Sequence, residues 1–184
     1  YMADALEAHL GTRTRPRIRI SDERSLLLDT GGGVKRALPH FGGSAFVIHN
    51  SDSIWLENGS SNLAALIDAW DDARMDALLL LAPRETSLGY AGRGDFHLGE
   101  DGRLRRRTGD ETAAFVFAGV SIAHPRLFEG IADETFSLNR VWNRALAEGR
   151  AFGFRHHGLW MHVGTPEALA EAEAAFLSAP AEAC

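Results

Sequence analysis

The stretch MDALLLLAP, residues 75–83, does most to limit the folds open to this chain. Successive side chains of a strand point to opposite faces, so the unbroken run Ala77–Ala82 needs apolar cover on both sides. Helical patterns flank it. NLAALIDAWDD (62–72) places Leu63, Leu66, Ile67 and Trp70 on one face, and FSLNRVWNRALAEG (136–149) turns Leu138, Val141, Trp142, Ala145 and Leu146 inward. Buried strands separated by amphipathic helices predict βαβ crossovers and an α/β fold: a Rossmann-like, mostly parallel sheet with helices on both faces.

The rest of the chain fills out this scheme. Met2, Ala5, Leu6 and Leu10 recur at helical spacing until Gly11; RPRIRIS (15–21) alternates as a strand; GGVKRALPHF (32–41) is a short helix stopped by Pro39; AFVIHNSD (45–52) is a buried strand. GDFHLGEDGRLRRRT (94–108) predicts a hairpin turning at Glu100-Asp101-Gly102, and AAFVFAGVSIAHP (113–125) a strand ended by Pro125. FGFRHHGLWMHVG (152–164) reads as one strand and TPEALAEAEAAFL (165–177) as a helix, with Thr165 as N-cap, Pro166 at its first position and Glu167 in its first turn. With no repeat and no linker, residues 1–184 read as a single domain.

Charge and cysteine content exclude several classes of function. A net charge of -6 gives no broad footprint for nucleic acid. The only basic run, GRLRRR (102–107), is flanked by GEDG and TGDE and reads as a solvated hairpin arm. The single cysteine, Cys184, can form neither an internal disulfide nor a cysteine-based metal site, and a reducing, cytoplasmic location follows. No apolar run reaches the length of a membrane span, and no basic-then-apolar signal opens the chain. The residues carry no signal for an oligomeric state.

In open α/β sheets ligands bind beyond the carboxyl ends of the strands, which singles out TGGG (30–33), NSD (50–52) and WMHVGTP (160–166). The glycine triplet frees the backbone for close approach to a flat ligand and equally suits the tight start of a helix. It matches neither a P-loop nor the dinucleotide G-x-G-x-x-G spacing. Asp52 either binds a hard cation such as magnesium through oxygen or simply forms a turn; His162 is either a ligand or a packed strand residue. His156 and His157 are adjacent and point to opposite faces of a strand, so they do not share a metal, and no G-x-S-x-G elbow supports a hydrolase.

In order along the chain, LLDTGGGVKRALPHFG, FVIHNSD, GRGDFHLGEDGRL, FVFAGVSIAHPRLFEG and GLWMHVGTPEAL resemble the sugar-1-phosphate nucleotidyltransferase family, closest to its N-acetylmuramate-1-phosphate uridylyltransferase branch. The resemblance implies an enzyme that joins an NTP, here UTP, to a sugar 1-phosphate, here N-acetylmuramate 1-phosphate, and releases pyrophosphate in cell-wall sugar recycling. Mannose-1-phosphate guanylyltransferase is the alternative within the class, and a non-catalytic sugar-nucleotide-binding module the alternative outside it. The resemblance further implies that Thr30, Gly31, Gly32 and Gly33 contact the nucleoside, that Asp52 is the catalytic metal-binding carboxylate, and that Asp95, Gly119, Glu134 and Asn139 shape the sugar pocket.

Two features depart from the family pattern. The G-x-G-T-R-x-x-P loop that wraps the triphosphate, with its following lysine, is not among the 184 residues. An upstream βαβ unit of about fifty residues is therefore expected. Lys35, the only lysine, is expected on a solvated helix face and does not replace it. Where the family has aspartate in W-x-D-V-G-T-P, this chain has His162. Imidazole suits softer ions than magnesium, so Mg2+ held by Asp52 with His162 in the outer sphere, or use of Mn2+ or Co2+, is implied.

Overall fold

The computed structural model describes residues 2–179; Cys184 lies outside the described residues. Helix α1 (Ala3–Gly11) is followed by α2 (Asp29–Ala37), β1 (Phe46–His49), β2 (Ser53–Glu57), α3 (Asn62–Asp68) and β3 (Ala77–Pro83). The hairpin β4 (Phe96–Leu98) and β5 (Leu104–Arg106) leads into the nine-residue β6 (Phe115–Ala123). Then come α4 (Asn139–Ala147), β7 (Ala151–Arg155), β8 (Gly158–His162) and α5 (Pro166–Ser178).

Six strands form the central sheet in the order β5-β4-β6-β3-β7, with β1 also pairing to β6. β3 sits inside it, and its run of leucines is covered on both faces. Ala77, Leu79 and Leu81 face a core shared with Val141, Trp142 and Ala145 of α4, against which Val34 of α2 packs. Leu78, Leu80 and Ala82 face a second core with Leu66 of α3 and Trp160 of β8. Each of these leucines is at most 2% exposed, and burying one stabilises the fold by ~2 kcal/mol. Helices therefore cover both faces, as the α/β pattern requires.

The pairing sense differs from the expectation. Only β3–β7 is parallel; β1–β6, β3–β6, β4–β6 and β4–β5 are antiparallel, so the sheet is mixed rather than mostly parallel. A continuous apolar run reports burial on two faces, whatever the direction of its neighbours. RPRIRIS is not a strand: residues 15–21 pair with nothing in the sheets, and Ile20 is exposed. SIWLE, which follows the NSD turn, is an additional strand, β2, paired antiparallel with β8.

The last predicted strand splits in two. β7 belongs to the central sheet and β8 to a separate ribbon with β2. At the break, His156 N–H donates to Leu81 O (2.8 Å), and Gly158 takes φ +121, where a Cβ would strike Leu56 O. Asn62 clamps the intervening turn: its Nδ2 donates to His157 O (2.6 Å) and its Oδ1 accepts from His157 N–H (2.7 Å). Asn62 is 2% exposed, whereas Leu63 and Ile67, expected on the buried face of α3, are 37% and 50% exposed. With seven residues, α3 meets the sheet mainly through Leu66. The caps agree with the sequence: Thr165 Oγ1 accepts from Ala168 N–H (3.2 Å) at the start of α5, and Gly102 N–H closes the hairpin turn onto Gly99 O (3.0 Å).

Candidate active site

One edge of β6 holds two partners in succession. β4 pairs only at Phe115, β1 pairs from Val120 to Ala123, and between them the edge has no strand. Unpaired backbone groups inside a protein need other partners. Phe117 N–H donates to Asp95 Oδ2 (2.9 Å), and Gly119 O accepts from Asn50 N–H (2.8 Å). The sheet opens here into a polar crevice of about 360 Å³, lined among others by Asp29, Thr30, Asn50, Asp95, Arg106 and Asn139.

Three of the residues singled out in the sequence, Thr30, Asp95 and Asn139, meet in this crevice. Thr30 Oγ1 accepts from Leu138 N–H (3.0 Å), which ties the head of α2 to the start of α4. Gly119 is not one of the crevice walls: it is buried at φ +77 against the 50–53 turn, where a Cβ would collide with Ser53 Oγ. Its bare α-carbon lets the 50–53 turn sit directly on β6. Glu134 is elsewhere: it is exposed and lines a separate depression with Gly32 and Lys35.

The glycine triplet forms the first turns of α2, and the helix-start possibility describes its geometry. Gly31 and Gly32 both donate their N–H groups to Phe136 O (2.8 and 3.1 Å). A Cβ on Gly31 would meet the Phe136 ring at 2.5 Å, and one on Gly32 would strike Glu134 O. Those two amides are thus taken up by the 134–136 segment, and a Cβ on Gly33 would meet Glu23 Oε1 at 2.7 Å. Lys35 is not on a solvated face; its Nζ staples α2 to the next loop by donating to Ile131 O (2.6 Å) and Asp133 O (3.1 Å).

Asp52 and His162 are brought together by the β2–β8 ribbon. Ser53 stands opposite His162, and Val163 N–H donates to Asp52 O (2.8 Å). His162 Nε2 lies 3.3 Å from Asp52 Oδ2, with both side chains partly exposed. Asp52 is two residues beyond Asn50, itself a wall of the crevice. No group of three or more His, Cys, Asp or Glu with metal-ligand geometry occurs among the described residues.

Sequence reasoning missed Asp29, Asn50 and Arg106 as individual contributors. Asp29 has φ +58, an uncommon conformation for a non-glycine residue, at the head of α2. Arg106 shares a strand face with buried Leu104, two positions before it, so period-two alternation in GRLRRR already turned it inward. Burial holds the Arg106 guanidinium below the usual arginine range, opposed by the charge of Asp95. Burial, together with that same carboxylate, raises the Tyr90 phenol, whose oxygen accepts from Gly94 N–H (3.1 Å) behind the crevice.

The chain is 44% identical over 178 residues to the N-acetylmuramate alpha-1-phosphate uridylyltransferase of Caulobacter vibrioides, an alignment covering 95% of this chain and 74% of that protein. The chain belongs to the sugar-1-phosphate nucleotidyltransferase family. The protein of the same name from Neisseria meningitidis is 30% identical over 158 residues, covering 85% of this chain and 66% of that one. Among solved structures, HddC from Yersinia pseudotuberculosis complexed with GMP-PN superposes with a TM-score of 0.68 over 96% of this chain and 75% of that chain; at 18% identity the likeness is one of fold. No family model matches the chain.

Proposed function

We propose that this chain joins UTP to N-acetylmuramate 1-phosphate, releasing pyrophosphate, in the reuse of cell-wall sugars in the cytoplasm. The observation that carries the proposal is the break along β6, which collects Thr30, Asn50, Asp95, Arg106 and Asn139 around one polar crevice next to the Asp52 turn. The 44% identity to a uridylyltransferase of that name supports the choice of base and sugar. A phosphate oxygen of the sugar attacks the α-phosphorus of the nucleotide in line, a bond to the β-phosphate oxygen breaks, and pyrophosphate departs. Reactions of this kind ask the protein to position the reactants and neutralise charge.

In this proposal Asp95, Asn139 and Asn50 hold the sugar. Asp95 is fixed by Phe117 N–H. The nucleoside lies at the head of α2, against Asp29 and Thr30. A magnesium ion characteristically takes one or two carboxylates and completes its shell with water and phosphate oxygens, a demand the single Asp52 carboxylate meets. Bound there, the ion would offset charge on the phosphates. His162, whose Nε2 lies 3.3 Å from Asp52 Oδ2, is the neighbour that positions that carboxylate.

The test is a pyrophosphate-release screen of the native gene product over four NTPs and several sugar 1-phosphates, with Asp52→Ala as control. The highest kcat/KM is expected for UTP with N-acetylmuramate 1-phosphate, and a loss of ~10²-fold or more in the variant. Preference for GTP and mannose 1-phosphate would replace the proposal with its guanylyltransferase alternative. Full activity in Asp52→Ala would remove the carboxylate from the reaction.

A further inference from the structure

The four arginines of GRLRRR have different fates. Arg103 pairs with Asp101 (2.9 Å) and Arg105 with Glu111 (2.7 Å). Arg107 is used up by the carbonyls of Gly94, Gly109 and Glu111. Arg106 has no carboxylate partner among the described residues: its Nη2 donates to Asn139 Oδ1 (2.9 Å), and its Nε is buried without an acceptor. A guanidinium has five N–H donors, and a buried one left underused is unfavourable in the empty protein. Its plane is nonetheless held in place, with Cζ 4.9 Å from the centre of the Phe96 ring. The group faces a crevice whose other charged walls, Asp29 and Asp95, are acidic.

We propose that Arg106 is the specificity-determining residue of the sugar pocket, receiving the carboxylate that distinguishes a muramate from the corresponding uncharged amino sugar. This rests on the function proposed above, in which the acceptor sugar is an acid as well as a phosphate ester. The planar fork of arginine matches a carboxylate through two parallel N–H···O bonds, which lysine does not reproduce. Asn139 fixes one edge of the fork and Phe96 its face, so the remaining donors present a preformed edge. Asp95 and Asp29 repel a carboxylate placed anywhere else in the crevice, which restricts the acid to the Arg106 side.

The experiment compares N-acetylmuramate 1-phosphate with N-acetylglucosamine 1-phosphate, the same ring without the acid, in the native gene product and in Arg106→Gln and Arg106→Lys. The ratio of the two kcat/KM values is expected to fall ~10²-fold in Arg106→Gln, mainly through KM for the acidic sugar. Arg106→Lys, which keeps the charge and loses the fork, should recover only part of the ratio. Unfolding temperatures of both variants identify any that fail to fold, and either one alone decides the matter. An unchanged ratio, whether activity falls equally on both sugars or on neither, would overturn the role of Arg106. A wild-type enzyme inactive on N-acetylmuramate 1-phosphate but active on another sugar phosphate would instead overturn the function proposed above, and this assignment with it.

Discussion

Acidification from pH 7 to pH 5 should weaken this fold chiefly through one residue, His156. It lies at the break between β7 and β8, is 1% exposed, and has no hydrogen-bond partner at either ring nitrogen. The Trp55 ring stands edge-on to it at 5.8 Å. Burial drives its pKa from 6.5 down to about 4, with the Glu57 charge opposing and His157 adding to the effect. The folded protein thus keeps His156 neutral at a pH where the unfolded chain protonates it, and stability is lost as the pH falls through 6.5 toward 4. At 1.36 kcal/mol per pKa unit the loss is ~2 kcal/mol at pH 5 and ~3 kcal/mol at pH 4. For a chain of this size that corresponds to a fall of ~4–8 °C in Tm at pH 5. Urea unfolding at pH 7 and pH 5 of the wild type and His156→Leu provides the assay. Because neither ring nitrogen is bonded, an apolar side chain forfeits no hydrogen bond there. Glu111 is held near 2 by Arg105 and Thr108 N–H, so its contribution is lost only at lower pH and does not confuse the comparison. An equal pH slope in His156→Leu would refute the reasoning.

Other expectations can be checked alongside. Gly119→Ala adds a Cβ against Ser53 Oγ at φ +77, and should destabilise by ~2–4 kcal/mol in urea unfolding while displacing the 50–53 turn enough to lower activity. Asp76 is 4% exposed and bridges Arg150 (2.9 Å) and Arg126; burial works to raise its pKa, but the two arginines outweigh this and lower it. Asp76→Asn should therefore cost ~2–4 kcal/mol at pH 7, and the cost should shrink only in acid below the ordinary aspartate range, as the wild-type carboxyl takes up its proton. His162→Asp adds a second hard oxygen ligand and should shift metal preference toward Mg2+ over Mn2+ and Co2+ in the pyrophosphate-release assay; an unchanged profile would leave His162 outside any metal's first shell.

The sequence patterns that proved most legible were those with a single physical cause. The leucines of β3, the inward face of α4 and the Thr165 cap follow from burial periodicity and helix-end hydrogen bonding, and each stands where the pattern placed it. Direction of pairing has no such signature, because a buried strand looks alike beside parallel and antiparallel neighbours. The split at His156–Gly158 was hidden by a run that alternates on both sides of it, and the one local sign was the glycine. RPRIRIS had the right alternation and no ladder to join. In the site, Asp52 and His162 are singled out by the resemblance, His162 as a departure from it, and the β2–β8 ribbon sets them 3.3 Å apart, whereas the convergence of Thr30, Asp95 and Asn139 depends on a gap in the sheet that no local rule anticipates. Gly31 and Gly32 illustrate the limit of composition: their missing side chains make room for Phe136 and Glu134 O.

The β4–β5 hairpin is held at both ends: Phe96 pairs with Phe115 of β6, Gly153 N–H of β7 donates to Gly102 O at the turn (2.9 Å), and Arg106 is carried on the outer strand. Substitutions at the hairpin's crevice-facing positions would reshape one wall of the cleft, while Phe96 and Leu104 have to stay apolar because they cover Leu79 and Leu81. A scaffold organised this way changes which sugars it admits by single exchanges along that wall, since replacing the arm wholesale would also unpack the sheet behind it.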